Sequence, residues 1–400
     1  MRILRNNRGV ALILTILVVS LIIAFTLQFN RTMRAHLMSS GANKDDVKAL
    51  YAAKSGVSCA LALLKADDTP EVTTLFELKS AVSEEGRSME DICAELGAGT
   101  TAGETDTDSG SDEVEPEATA ESDLSPGSLG MFSPMENCEF EIIDECAKIQ
   151  LNSLPAMEKG LGEEAKGQVD VEGLLTRYLD QFGLGESTEV GEGGVSEIVH
   201  AVLNWIDTDE NNRGVGWDYS EDKSKNGPLY SLDELHLIEG LDEESLTELT
   251  EAASEFADEL GELAEMGANE LFDQVTEHLT VFVANDGKIN INTAPEAVIL
   301  SLHEEMDEQQ FDLMRQYRCG DALNSNELAS TDWYHTRADV LEAIKLPEDL
   351  ITTRSDLFRI VSTGRSGDLT KRVVAIAKRE TEGQNIQGGS DFRIIYWTVE

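Results

Sequence analysis

The stretch Asp207 to Asp222, DTDENNRGVGWDYSED, is the part of the chain whose residue types and spacing come nearest to chemistry. Asp207, Asp209 and Asn211 fall at positions one, three and five of a calcium-loop pattern, and Asp218 falls at position twelve. The match is incomplete. Position six, where glycine permits the sharp turn, is Asn212, and position twelve is the short Asp218 rather than a bidentate glutamate. Glu210, Glu221 and Asp222 add further hard oxygen donors, which suit Ca²⁺ better than Zn²⁺. The candidate ligand set is therefore Asp207, Asp209, Asn211, Asp218 and Asp222, with Ca²⁺ as the expected ion. An acidic, Asx-rich turn without metal has equal standing on the sequence.

No other catalytic template is satisfied. His303-Glu304-Glu305 lacks the second histidine of a zinc-protease helix, and no G-x-S-x-G elbow or P-loop occurs. Gly160-Leu161-Gly162 has no strand immediately before it. Nothing assembles a nucleophile with its base, so the expectation is a protein that is not an enzyme. The formal charge of −46, from 77 acids against 31 bases, argues against binding nucleic acid through phosphate neutralisation. Five cysteines occur and none forms C-x-x-C. Cys138 and Cys146 would stand about 26 Å apart in one straight strand, so they pair only if the segment turns back. An odd count leaves at least one thiol over.

The elements that would position any site begin at the amino terminus. Arg2, Arg5 and Arg8 lead to Gly9, and Val10 to Phe29 then run without a charge. That run makes about 30 Å of helix, enough to cross a bilayer core. A secretory signal would be shorter and would carry an A-x-A-like cleavage site, which is missing after Phe29. The step from basic leader through Gly9 into the apolar run resembles the leader of type IV pilins and type II secretion pseudopilins. In that family a dedicated prepilin peptidase cuts after the glycine, here between Gly9 and Val10. Helical spacing continues through Leu50, Ala53, Val57, Ala60, Leu61 and Leu64, with a break expected near Ser39 to Asn43 and weak points at Gly41 and Gly56.

Between Glu104 and Asp123 lie nine acids, with no lysine, arginine or aromatic, which predicts a disordered spacer. Cys138 to Leu151 alternates as a strand. AKIQLNSLP (Ala147 to Pro155) is echoed by GKININTAP (Gly287 to Pro295), which predicts two strand-to-helix units with ordinary capping chemistry rather than catalytic asparagines. Apolar stripes from Val171 to Phe182 and from Val195 to Ile206 predict helices, with His200 on a polar face. Short helices are expected over Ser231 to Leu249 (hinged at Gly240), Glu296 to Leu302, Gln310 to Tyr317 and Ala338 to Ile344. Leu357 to Thr363, Arg372 to Lys378 and Phe392 to Val399 read as strands. The Ile289 to Arg318 stretch resembles helix-hairpin-helix modules, but its hairpin HEEMDEQ holds four acids and no glycine. Carboxylates there would repel a phosphate.

The fold class expected is α+β: a long amino-terminal transmembrane and amphipathic helix, and a pilin-like antiparallel sheet interrupted by a large α-helical insertion domain of SAM or helix-hairpin-helix type. The division is leader 1–9, helix 10–66 (transmembrane 10–29), body 67–155 with spacer 99–130, helical part 156–278, strand 279–293, second helical part 294–355 and closing strands 356–400. In ordered combination, RGVALILTIL, ALYAAKSGV, DECAKIQLNSL, NWIDTDENNRGVGWDYSED, GPLYSLDELHLIEGL and KININTAPEAVILSL resemble the K-type minor pseudopilins of the type II secretion system. The resemblance implies a pseudopilus tip subunit with calcium. Its partners would be the I- and J-type minor pseudopilins, the inner-membrane assembly platform and the prepilin peptidase. The anchor would sit in the inner membrane with the body in the periplasm. Other pilins carry glutamate five residues after the cut, and here that residue is Leu14, so the pairing with a neighbour's terminal ammonium cannot form; such a subunit suits a tip. Two alternatives share these features: a minor pilin of a type IV pilus or DNA-uptake system, and an uncleaved membrane-anchored calcium-binding adaptor.

Overall fold

The computed structural model describes residues 8–65, 72–74, 78, 138–160, 169–184, 194–208, 225–238, 240–255, 266–321, 325–380 and 391–400. The acidic spacer lies outside them. A single helix, α1 (Arg8–Lys65), covers 58 residues, about 87 Å at the standard rise. The break expected at Ser39 to Asn43 is absent. Gly41 costs only about 1 kcal/mol of helix propensity, and no proline interrupts the ladder around it.

The carboxyl half of α1 lies on a four-stranded antiparallel sheet in the order β1 (Cys138–Asp144), β6 (Leu357–Ser366), β7 (Leu369–Glu380), β8 (Asp391–Val399). Ala53, Val57, Ala60 and Leu64 recur every three or four residues and meet Ile142, Phe358, Ile360, Val373, Ala375 and Ala377 of the sheet. The approach is close because the seam is built from small residues. A Cβ on Gly364 of β6 would lie 2.1 Å from the Ala49 carbonyl oxygen and 2.3 Å from the Ala53 nitrogen. A Cβ on Gly56 would lie 2.2 Å from Ser362 Oγ. Gly56 is thus a contact point with the sheet rather than a weakness in the helix.

Adjacent strands β1 and β6 are separated in sequence by the whole helical region, which is inserted between them. The echoed segments organise that insertion. Ile149 in β2 (Ile149–Gln150) pairs in parallel with Leu279 in β3 (Leu279–Thr280), and Ile289 in β4 (Ile289–Asn290) with Ile351 in β5 (Ile351–Thr352). Asn152 donates to the Leu229 and Val281 carbonyls at 2.9 and 2.7 Å and accepts from the Leu229 nitrogen at 2.7 Å. Asn292 does the same work in the second unit, donating to the Leu328 and Thr353 carbonyls and accepting from Trp333 Nε1 at 2.8 Å. Both asparagines therefore clamp backbone.

Around these bridges pack α2 (Leu154–Gly160), α3 (Val171–Asp180), α4 (Val195–Ile206), α5 (Glu243–Glu255), α6 (Ala268–Glu277), α7 (Glu296–Ser301), α8 (Glu308–Gln316) and α9 (Trp333–Thr336). Their core centres on Leu174, Tyr178, Leu203, Phe311 and Trp333. Two expectations are corrected here. Ala338 to Ile344 is not helical: the helix lies earlier, over Trp333–Thr336, and Asp339 turns the chain at φ +57°. The strand expected from Cys138 to Leu151 ends at Asp144, where a 3-10 turn over Glu145–Ala147 lets the chain leave the sheet.

Candidate functional site

Along Leu12 to Phe29 every side chain of α1 faces outward, and Leu14 is 60% exposed. This stretch is long and apolar enough to cross a membrane. Its hydroxyls are satisfied within the helix, as an apolar surrounding requires. Thr15 donates to the Leu12 carbonyl and Ser20 to the Leu17 carbonyl, both at 2.8 Å, and Thr26 to the Ile22 carbonyl at 2.5 Å. Gly9 and Val10 lie in the first turn of α1. Arg31 and Arg34 are the first charged residues past the apolar run.

Of the expected calcium ligands, Asp207 is described and Asp209, Asn211, Asp218 and Asp222 lie outside the described residues. Asp207 caps the carboxyl end of α4, is 4% exposed and donates its backbone N–H to the Leu203 carbonyl at 2.9 Å. On either side of the Asp207 to Asp222 stretch, the Gly227 nitrogen donates to the Trp205 carbonyl at 3.2 Å. Beside that contact, Lys225 Nζ meets Glu234 Oε2 at 2.6 Å and stands 4.0 Å from the Tyr230 ring centroid. Burial raises the Glu234 pKa, but the Lys225 contact and the Tyr230 N–H outweigh it and hold the carboxyl below its ordinary value. Among the described residues no three His, Cys, Asp or Glu side chains converge on a metal position. Asp207 places a buried carboxylate at the negative end of a helix dipole, a position that favours a nearby cation.

The helix-hairpin-helix stretch has geometry unsuited to phosphate. In its hairpin the Glu305 N–H goes to His303 Nδ1 at 3.1 Å, the Met306 N–H to the His303 carbonyl and the Gln310 N–H to Asp307 Oδ1 at 2.8 Å. These amides are committed. The adjoining cleft is lined by Asp180, Glu304, Asp307 and Glu308 against Arg177. Burial raises the Asp180 pKa, and burial followed by the neighbouring Glu308 and Asp312 raises that of Glu296.

Two adjacent acids that the sequence reading passed over hold the junction between sheet and insertion. Asp144 accepts from Ser355 Oγ, Thr293 Oγ1, Asn290 Nδ2 and the Cys146 nitrogen, drawing β1, β4 and the start of β6 together. Burial raises its pKa in spite of these donors. Glu145 is fully buried and pairs with Arg359 Nε at 2.6 Å and Lys148 Nζ at 3.6 Å, and it accepts from Thr280 Oγ1. Burial pushes its pKa up, and Lys148 with Arg359 more than reverses that. Their only sequence signal is two consecutive acids closing a strand whose end must be buried on both faces. Cys59, Cys138 and Cys146 are free thiols, and Cys319 is disulfide-bonded. Three thiols are thus left over where the odd count required at least one.

No family model matches the chain, and no match is found among curated proteins. Among solved structures it is similar to a chain of the GspK–GspI–GspJ complex from the type 2 secretion system of enterotoxigenic Escherichia coli. The identity is 12%, the match covers 90% of this chain and 99% of that chain, and the TM-score is 0.44.

Proposed function

We propose that this chain is a K-type minor pseudopilin of a type II secretion system, which initiates or caps a periplasmic pseudopilus and performs no chemistry itself. The observation that carries the reading is α1. A basic leader ends at Gly9, an outward-facing apolar half follows at once, and the same unbroken helix then seats a sheet with a helical insertion. That is the build of a subunit extracted from a membrane into a filament by its helix. Leu14 supports a terminal place, because an exposed leucine there offers no carboxylate to a neighbour's terminal ammonium. Its partners would be the I- and J-type minor pseudopilins and the inner-membrane assembly platform. The stretch from Asp207 to Asp222 would hold Ca²⁺ through Asp207, Asp209, Asn211, Asp218 and Asp222.

The test is the amino terminus. Cleavage by a prepilin peptidase would leave Val10 first, N-methylated, in mass spectra of the native protein, and Gly9→Val would retain the leader and abolish secretion. An intact Met1 to Gly9 segment in the functional protein refutes this reading and favours an uncleaved anchored adaptor. A surface pilus lost on deletion, with secretion unaffected, favours the type IV minor pilin.

A further inference from the structure

The seam between α1 and the sheet contains two free thiols on one flank. Cys138 opens the edge strand β1, and its Sγ lies 2.6 Å from where a Cβ on Gly56 would be and 3.8 Å from Ser362 Oγ. Cys59 is three residues beyond Gly56 on α1, where helix geometry sets successive Cβ positions about 5–6 Å apart. Cys138 Sγ therefore occupies the space beside Gly56, about one helical turn from Cys59. A disulfide needs Cβ atoms about 3.5–4.5 Å apart; rotamer changes would turn the two sulfurs toward each other, and a movement of the edge strand would close the Cβ separation. Burial and then proximity to Cys138 raise the Cys59 thiol pKa, as expected for two thiols sharing one flank. The other described cysteines are committed or remote. Cys319 is already bonded, and Cys146 is fully buried in a separate cluster with Ala284, Leu357 and Ile376.

We propose that Cys59 and Cys138 are a redox pair that closes into a disulfide, fastening α1 to β1. The need is mechanical. Beside Val57 and Leu64 the seam is built from Ala49, Ala53, Gly56 and Ala60, which bury little apolar area each, and α1 would carry the whole body if the helix is pulled as in the function proposed above. The oxidant is a disulfide, either oxidised glutathione or an oxidoreductase disulfide. One cysteine thiolate attacks it, forming a mixed disulfide and releasing the first thiol. The second thiolate then attacks the bonded cysteine sulfur and expels the other thiol. Two electrons pass to the oxidant, and the protons lost by the cysteines appear on its two released thiols. The mechanical need and the cellular supply of oxidant rest on the function proposed above; the pair itself does not.

The full chain in detergent would be treated with oxidised glutathione, alkylated with N-ethylmaleimide, digested and mapped by mass spectrometry. The expected product is a Cys59–Cys138 linked peptide two hydrogens lighter than its parts and released by reductant. It should be missing from Cys138→Ser and from Cys59→Ser. Recovery of both cysteines alkylated or separately glutathionylated, with no linked peptide, overturns the pair. A chain that links in vitro but is isolated from cells fully reduced retains the pair and counts against the periplasmic placement instead.

Discussion

Asp144 and Glu145 are consecutive acids with opposite titration behaviour, and the difference lies in their partners. Asp144 has hydroxyl and amide donors and no cation, so burial wins and its pKa rises; Glu145 has Arg359 and Lys148, and its pKa falls. Removing the first takes an acceptor from the Cys146 N–H, the Ser355 and Thr293 hydroxyls and Asn290 Nδ2, the last of which keeps the Thr73 carbonyl and Ser355 Oγ. Asp144→Ala should cost on the order of 4 kcal/mol in denaturant unfolding, and Asp144→Asn distinctly less, since the amide retains one acceptor oxygen. Glu145→Gln should cost about 3 kcal/mol at neutral pH by leaving Arg359 and Lys148 unpaired. The pH dependence follows from the direction of each shift. The stabilisation from Glu145 is present above its unfolded value of 4.5 and is lost as pH falls through its lower folded pKa, so the Glu145→Gln deficit should shrink in acid. That from Asp144 is fully present below 3.8 and is lost as pH rises through its higher folded pKa. The deficit of Asp144→Asn should therefore narrow as pH rises, and an unchanging deficit in either variant would contradict the assignment.

Helix α1 joins an outward-facing apolar half to a half seated on the sheet without interruption, and Gly41 and Gly56 within it play different parts. Gly41 has nothing within 4 Å of a Cβ position, so Gly41→Ala should leave the melting temperature unchanged or raise it slightly. Gly364, across the seam in β6, faces helix backbone at 2.1 and 2.3 Å. Gly364→Val should lift the helix from the sheet at a cost of about 2–3 kcal/mol, with faster amide exchange from Ala49 to Leu64. The apolar spacing of α1 was legible because a helix meeting a sheet repeats every three to four residues. The absence of a break was not, because a single glycine leaves the backbone ladder intact and packing decides. The helix expected over Ala338 to Ile344 failed for the converse reason. Its short apolar pattern also fits a turn, and the left-handed Asp339 selects the turn.

Across the molecule the charges are segregated. The formal total is −46, yet Arg2, Arg5, Arg8, Arg31 and Arg34 all stand beside the apolar run. The body is thus a polyanion joined to a basic-flanked apolar helix. If the Asp207 to Asp222 stretch holds Ca²⁺, a chelator should lower the melting temperature and added Ca²⁺ restore it, by about 2.7 kcal/mol at a hundredfold excess over Kd. Asp207→Ala should remove the calcium-dependent part alone, whereas chelator-insensitive melting would dismiss the metal.

The membrane-length helix, the α+β class and the two echoed units could be read from the sequence, because each rests on local period or composition. Only the tertiary structure decided the rest. It placed the helical region between two adjacent strands, turned Gly56 and Gly364 into a helix–sheet seam, left three thiols free and joined Asp144 to donors up to 211 residues away. Such contacts are set by which surfaces meet once the chain is folded, and no short-range pattern encodes them.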